Sequence, residues 1–209
     1  MTGQKQPILG SLYPSINYKI HSSFIDDPED WVVEVSGEVF ISDEDNEERV
    51  AAKCRLFLVD VESSGYAAGE LLDTRQEIYP FISFYEPDTS SFNASFLSFV
   101  GDDVWHSNLL IIDRIEVLPM FRGRGLTKLI IDDAVNLFSA RIDVVALKVF
   151  PLQFEYKGLN NKPNEWKKMM ELKKMEHDIG IATTKLAASY ESLGFVRVVN
   201  EDLMVKIIE

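Results

Sequence analysis

The chain has 209 residues, of which 46% are hydrophobic and 11% aromatic; it can build one domain with a sizeable core, and this composition excludes a disordered protein. It contains no apolar run of about eighteen residues, and its first residues lack the apolar core of a signal peptide, so we expect a cytoplasmic protein without membrane contact. The formal net charge is -13, but no basic stripe with interleaved aromatic residues is present, which argues against nucleic-acid binding.

The negative charge is concentrated between Asp26 and Glu48. This stretch holds eleven acidic residues and neither lysine nor arginine, whereas the rest of the chain is close to neutral. One interpretation is a negative surface that steers a cationic amine or a basic peptide toward an active site. The other is a solvated strand face followed by a hairpin loop.

The first half of the chain predicts strands followed by a helix. Residues Ile16 to Phe24 are expected to form an edge strand, and Trp31 to Ile41 and Cys54 to Val61 are expected to form an antiparallel pair. Apolar residues recur at helical spacing between Ala67 and Phe84, which predicts a helix. The stretch from Ser91 to Val100 fits either type of element.

A strand, a Gly-rich turn and a helix follow one another in the middle of the chain. Leu109 to Leu118 is rich in aliphatic residues and predicts a central strand buried on both faces, which Pro119 ends. From Leu126 onward, apolar residues recur at three- and four-residue spacing, which predicts a helix packed on a sheet. Between the two elements, Gly123 and Gly125 keep side chains away from the backbone.

This turn has the features of an anion site. The first turn of the helix leaves several backbone amides unpaired and pointing outward. Arg122, Arg124 and Lys128 add positive charge beside those amides, which suits a phosphate or pyrophosphate better than a carboxylate alone. The Walker spacing and the G-x-G-x-x-G pattern are both absent.

The last third of the chain predicts a strand, a long helix and a further strand. Asp143 to Phe150 is expected to be a second buried strand, and because a helix connects it to the first one the two should run parallel. A long helix is expected from Asn164 to Tyr190, opened by Pro163 and bent near Gly180. The next strand is expected at Phe195 to Val199.

Two motifs, in this order, resemble those of the GNAT superfamily of N-acyltransferases. Arg122-x-x-Gly125-x-Thr127, preceded by Val117-x-Pro119-x-Phe121, resembles motif A, whose last position is Gly or Ala in the family. A hydroxyl at Thr127 could donate to a phosphate oxygen instead. The stretch from Ala187 to Phe195 resembles motif B, a helix that ends in Tyr-x-x-x-Gly-Phe before the next strand.

The resemblance implies an α/β fold of the GNAT acyltransferase type, a mixed central sheet flanked by helices, in a single domain over residues 1–209. Residues 101–209 would form the half that binds acetyl-CoA. In that half two neighbouring strands of the family splay apart, and the pantetheine arm of acetyl-CoA lies in the opening. Residues 1–100, with the acidic strand pair and a helix, depart from the family's usual order, in which one strand and two helices precede an antiparallel pair.

The resemblance also implies direct transfer of an acetyl group from acetyl-CoA, the donor substrate, to a primary amine without a metal. The acceptor would be a small-molecule amine or a peptide or protein amine, and a homodimer is compatible with it. The alternative is a non-catalytic CoA-binding or protein-interaction module with the same fold. Acetyl-CoA would be held by residues at the strand end and the turn, namely Val117, Arg122, Gly123, Arg124, Gly125, Leu126 and Thr127.

Acyl transfer also needs a proton for the departing thiolate, a base for the amine and a donor for the oxyanion. Tyr190 holds the family's general-acid position, and Asp113 and Glu116 are the candidate bases. Strict alternation places Asp113 on the face of Ile111 and Ile115 and puts Glu116 on the opposite face. A strand bulge near the site would exchange the two orientations. The oxyanion is expected at a backbone amide near the end of the strand.

The remaining reactive side chains have no catalytic spacing. His21, His106 and His177 lack partners at a recognisable distance along the sequence and are expected to be surface or packing residues. Cys54 lies in an apolar run and is expected to be a small core residue, since a single cysteine forms no internal disulfide and metal-ligand spacing is absent.

Overall fold

The computed structural model describes residues 13–21, 26–42, 48–101, 103–155, 164–198 and 202–208. The strands are β1 (Tyr13–Ile20), β2 (Val32–Ser42), β3 (Glu48–Val59), β4 (Leu109–Val117), β5 (Val144–Lys148), β6 (Val196–Arg197) and β7 (Leu203–Ile207). The α-helices are α1 (Val61–Ser64), α2 (Ala68–Leu72), α3 (Ala94–Val100), α4 (Leu126–Phe138), α5 (Glu165–Met169) and α6 (Ile179–Glu191). Short 3-10 helices lie between them at Pro28–Trp31, Tyr79–Phe84, Pro119–Phe121, Leu152–Phe154 and Leu172–Lys174.

The strands form one mixed sheet in the order β1-β2-β3-β4-β5-β7-β6. β4 and β5 are parallel, whereas the other neighbouring pairs of described strands are antiparallel. Helix α4 connects the two parallel strands, which cannot be joined by a tight turn. The predicted α/β class is therefore confirmed, as are the antiparallel pairing of the two predicted strands and the parallel pairing of the two central strands.

The core occupies both faces of the sheet. Along β4, Leu110 and Ile112 point to one face and Leu109 and Ile111 to the other, and all four are at most 3% exposed. Helices α4 and α6 cover the first face, here called the helix face. Residues 61–101, which connect β3 to β4, cover the second face, here called the connection face, with an aromatic cluster of Phe81, Phe84, Tyr85, Phe92 and Phe96.

The helix predicted from Ala67 to Phe84 is wrong as a single element. The chain forms α2, then a turn, and then the 3-10 helix Tyr79–Phe84. Pro80 is the physical reason, because proline has no backbone N–H and fits only in the first turn of a helix. The ambiguous stretch from Ser91 to Val100 contains α3, which Asn93 caps by accepting a backbone N–H at 2.9 Å.

The long helix predicted from Asn164 to Tyr190 is also wrong, because α5, a 3-10 turn and α6 take its place. Glu171 adopts the left-handed conformation, with φ of 48°, and this interrupts the helix. Asp178 then starts α6, since its side chain accepts the amide of Ile181 at 2.9 Å. Gly180 lies in the first turn of α6, so the bend predicted near it within a longer helix is absent.

Other predicted elements are present with shifted bounds. The edge strand expected at Ile16 to Phe24 lies at Tyr13–Ile20, with residues 22–25 outside the described ranges. The strand expected after Phe195 is limited to Val196–Arg197, and Val199 also lies outside those ranges, as do residues 43–47 of the acidic stretch. No helix in the described part of the chain has the length and apolar character needed to cross a membrane.

Candidate functional site

The parallel strands β4 and β5 separate at one end. Their pairing stops where Ile112 lies opposite Leu147. Beyond this point β4 continues to Val117, whereas β5 ends at Lys148. Among the described residues, the second half of β4 therefore has no strand partner on the β5 side. We call the gap between the two strand ends the slot.

A β-bulge at Asp113 reorients the second half of β4. Neighbouring residues of β3 pair with Ile112 and Arg114, so Asp113 is the extra residue. As a result Ile111 packs on the connection face, whereas Ile115 packs on the helix face. The expected placement of Asp113 on a face shared with Ile111 and Ile115 is wrong, and the bulged alternative holds.

A cleft of about 320 Å³ opens at the slot on the helix face. Most of its wall is apolar and consists of Ile112, Ile115, Val117, Phe150, Pro151, Leu152, Met170, Leu172, Met175 and Leu186. Polar side chains also line it, among them Asp113, Arg122, Lys148, Gln153 and Tyr190. An apolar cleft with a few converging polar groups is the usual form of a small-ligand site.

Tyr190 belongs to α6 and lines this cleft. Its ring packs edge-to-face against Phe195, with the ring centroids 5.7 Å apart. Gly194, with φ of 90°, turns the chain between the helix and the buried Phe195. Burial raises the pKa of the Tyr190 hydroxyl to about 12, so the phenol is a weaker acid than an exposed one, and like any phenol it carries its proton at neutral pH.

The Gly-rich turn leads into α4 as the sequence predicts. Gly123 and Gly125 have φ of 71° and 83°, the left-handed conformation that glycine adopts without steric cost. Gly125 is the N-cap of α4 and makes no side-chain cap, so the amides of Leu126 and Thr127 have no capping side chain. Together with the exposed Arg124, the positive end of the helix dipole forms an environment for an anion.

Arg122 points back from this turn to the end of β4. Its Nε donates to the carbonyl oxygen of Val117 at 3.0 Å, and its Nη2 donates to the carbonyl oxygen of Met170 at 2.6 Å. Burial lowers the pKa of the guanidinium, and the nearby Glu171 carboxylate only partly offsets this effect. Arg122 therefore fixes the geometry of the cleft, while Arg124 is the arginine that remains exposed at the turn.

The two candidate bases lie in different environments. Asp113 lines the cleft and accepts from Nε of Arg55 at 2.7 Å. Glu116 accepts from the indole N–H of Trp166 at 2.6 Å and from Arg114 at 3.4 Å, and it lines a separate surface hollow rather than the cleft. Asp113 is therefore the better placed of the two to act on a ligand in the cleft.

Arg114 connects these carboxylates on the second half of β4. It forms an ion pair with Glu155 and lies near both Asp113 and Glu116. Burial opposes the positive charge, but the carboxylates outweigh it and raise the pKa of the Arg114 guanidinium above its ordinary value. The network holds acidic groups beside the slot in fixed positions.

Residues 164–178, here called the strap, cover the cleft. Hydrogen bonds among the described residues anchor the strap. Trp166 donates to the Glu116 carboxylate, Arg122 to the Met170 carbonyl, the Gln153 side chain to the Glu176 carbonyl at 3.2 Å, and Lys185 to the Glu176 carboxylate at 2.9 Å. Met170, Leu172 and Met175 of the strap line the cleft. Asn164 and Asp178 are both helix-capping residue types, and this local signal indicates two helices instead of one.

The structure brings some of the site residues predicted from the sequence together around the cleft. Four predicted residues line the cleft: Asp113, Val117, Arg122 and Tyr190. Gly123, Arg124, Gly125 and Thr127 form the turn and the start of α4 that follow Arg122. Leu126 can offer only its backbone, because its side chain is 2% exposed and packs in the core.

Among the described residues, no group of three His, Cys, Asp or Glu side chains is arranged to hold a metal ion. Comparison with known proteins found no family model that matches the chain, no matching curated protein and no matching solved structure.

Proposed function

We propose that the chain is an N-acyltransferase with a GNAT-type fold, which moves an acetyl group from acetyl-CoA to a primary amine by direct transfer. One observation carries this proposal: β4 and β5 separate at the place where Tyr190, Asp113 and the end of β4 meet in one cleft. The resemblance implies such an opening for the pantetheine arm, and periodicity in the sequence does not predict it.

The arrangement offers complementary environments for the parts of acetyl-CoA. The apolar cleft suits the pantetheine arm and the acyl group, which are largely uncharged. The unpaired amides at the start of α4, with Gly123 and Gly125 leaving the backbone accessible, suit the pyrophosphate. Arg122 lies between the apolar cleft and the Gly-rich turn, because its side chain lines the cleft and Gly123 follows it in the sequence.

The proposed chemistry needs two proton transfers. The neutral amine attacks the thioester carbonyl carbon, and Asp113 accepts the amine proton directly or through a water molecule. A backbone amide near Val117 stabilises the oxyanion of the tetrahedral intermediate. The carbon–sulfur bond then breaks, and the thiolate of CoA takes a proton from the Tyr190 hydroxyl, which lines the same cleft.

Cys54 gives no support to a covalent acyl-enzyme. Its side chain is buried in the core of the helix face and does not line the cleft. Burial raises the pKa of its thiol to about 11, which disfavours the reactive thiolate. This arrangement favours transfer within a ternary complex of the chain, acetyl-CoA and the amine.

The N-terminal half departs from the family's usual order. Three strands precede the main helical region, and the helices α1, α2 and α3 lie between β3 and β4. In place of two helices after β1, the described residues contain the short 3-10 helix Pro28–Trp31. This departure changes the connection face, opposite the face that would hold the cofactor arm.

A non-catalytic CoA-binding module is the second candidate. The observation that favours it is the strap, which covers the cleft and uses Arg122 as an anchor. In such a module the chain would bind acetyl-CoA without passing the acetyl group to an amine.

Release of free CoA thiol from acetyl-CoA, measured with and without a panel of primary amines, separates the two functions. The enzyme is expected to release thiol in proportion to the acetylated amine detected by mass spectrometry. A chain that binds acetyl-CoA but forms no acetylated amine with any member of the panel would support the non-catalytic module.

A further inference from the structure

A second hollow opens at the same slot on the connection face. Its volume is about 290 Å³. It shares with the cleft six residues at the ends of β4 and β5: Ile112, Asp113, Arg114, Lys148, Phe150 and Leu152. The slot therefore borders a hollow on each face of the sheet, and the two hollows meet at the strand ends.

The connection between β3 and β4 builds the outer wall of this second hollow. Gln76 and Glu77 come from the turn after α2, and Pro80 and Phe81 come from the 3-10 helix that follows. Phe81 is 1% exposed and packs edge-to-face on Phe84, so this wall is part of the aromatic core. The region that departs most from the family order thus shapes one side of the slot.

Three carboxylates line the second hollow, from Glu77, Asp113 and Glu155. Arg55 bridges two of them, at 2.7 Å from Asp113 and 3.2 Å from Glu77. One oxygen of Glu155 pairs with Arg114, whereas its second oxygen, Oε2, is buried without a hydrogen-bond partner among the described residues. A buried carboxylate oxygen without a donor is costly, and a ligand N–H would satisfy it.

We propose that the second hollow is the acceptor site and that it takes a compact primary amine, which arrives as an ammonium and donates to Glu155. This inference rests on the proposed transfer of an acetyl group from acetyl-CoA bound in the cleft. The ammonium loses its first proton to water before attack, and Asp113, which lines both hollows, accepts the second proton as the neutral amine attacks the acyl donor on the other face. Arg114 and Lys148 also line the hollow, and Arg55 already pairs with Glu77 and Asp113, so an ammonium N–H is directed to the free oxygen of Glu155.

The shape of the hollow favours a small molecule over a peptide strand. The second hollow lies on a face of the sheet beside the central strands β4 and β5, whereas a peptide that binds by strand addition lies along an outer sheet edge. The hollow is also at the small end of the range for ligand pockets, and the connection bounds it on the outer side. A short alkylamine fits these limits.

The test is steady-state kinetics at saturating acetyl-CoA with short primary alkylamines and with peptides that offer a lysine or a free N-terminus. The variants are Glu155→Gln, which keeps the shape of the side chain, and Glu77→Lys, which reverses a partly exposed charge and spares the core. Glu86→Gln is the matched control, because Glu86 is an exposed carboxylate of the same connection that does not line the hollow.

We expect short amines to be preferred, and Glu155→Gln and Glu77→Lys to raise the KM for the amine about tenfold or more. The dissociation constant of acetyl-CoA should be unchanged in both variants, and Glu86→Gln should behave like the wild type. An unchanged KM in both variants, or efficient turnover with peptides alone, would overturn the acceptor assignment while leaving acyl transfer intact. A wild-type chain that does not bind acetyl-CoA would instead overturn the proposed function, and the acceptor site with it.

Discussion

The two halves of β4 differ in pairing, burial and chemistry. Leu109 to Ile112 pairs with a strand on each side, and its four apolar side chains are at most 3% exposed. After the bulged Asp113, Arg114 to Val117 pairs with β3 and, among the described residues, with no strand on the β5 side. This second half is half-buried and carries the charged side chains of Asp113, Arg114 and Glu116. The change occurs at the bulge and at the last pair with β5, which lie at adjacent positions.

This difference shows how one strand serves both stability and function. Where both neighbours are present, the backbone is satisfied and the side chains fill the two cores. Beyond the last residue pair between β4 and β5, β4 has no hydrogen-bonded neighbour on that side among the described residues. Charged side chains of β4 line the cleft and the second hollow there. The first half should therefore respond to mutation through stability and the second half through ligand binding or turnover.

The largest expected effect is the loss of protein stability when a side chain in the first half of β4 is truncated. Leu110→Ala removes a fully buried side chain and is expected to lower the free energy of unfolding by about 2–5 kcal/mol. Ile115→Ala, in the half-buried second half, should cost about 1 kcal/mol. Urea denaturation of both variants measures the difference, and equal costs would show that the two halves are not distinct in this respect.

Turnover is expected to depend on Tyr190, which lines the cleft on the helix face. Tyr190→Phe removes the proposed acid and is expected to lower kcat roughly tenfold or more, with the dissociation constant of acetyl-CoA unchanged. Tyr79→Phe is the matched control, since Tyr79 is half-exposed and does not line the cleft. A Tyr190→Phe variant with full kcat would exclude the phenol as the acid.

The attachment of the strap is expected to depend on the hydrogen bond from Trp166 to Glu116, which lies in the second half of β4. Trp166→Phe removes the indole N–H that Glu116 accepts at 2.6 Å and is expected to lower the free energy of unfolding by about 1 kcal/mol. Trp105→Phe removes an indole from a position that is 84% exposed and should have almost no effect. If thermal denaturation finds the two variants equally stable, the Trp166 bond does not hold the strap.

A pH dependence at Tyr190 is expected in alkaline solution only. The folded-state pKa of about 12 lies above the value of about 10 for an exposed phenol, so the contribution of this group to stability is complete below about pH 10. It is lost as the pH rises from about 10 to about 12. The wild type should therefore lose stability relative to Tyr190→Phe across that range, and parallel pH profiles would contradict burial of the hydroxyl.

Local patterns were enough to predict the centre of the site. The strand at Leu109, the turn at Gly123 and Gly125 and the helix from Leu126 each depend on residues close in sequence, and each is present. The parallel direction of β5 followed from the helical connection alone. The α/β class was predictable for the same reason.

Features set by distant contacts were not predictable. The bulge at Asp113 depends on the register with β3, so alternation along β4 gave the wrong face. The strap depends on the hydrogen bond that Arg122 donates to the Met170 carbonyl and on the one that Glu116 accepts from Trp166, both between residues far apart in the sequence, whereas the local apolar pattern suggested one long helix. The second hollow depends on how the connection packs across the sheet, which no local spacing encodes.

The most direct test of the central claim is isothermal titration of the purified chain with acetyl-CoA. Arg124→Glu and the double variant Arg124→Glu, Gly125→Glu place negative charge at the start of α4, and Lys19→Glu reverses an exposed charge on β1 as the control. Circular dichroism of each variant verifies the fold. We expect the wild type and Lys19→Glu to bind alike, Arg124→Glu to bind more weakly and the double variant not to bind. No binding by the wild type, or equal binding by all four proteins, would contradict the proposed site for acetyl-CoA.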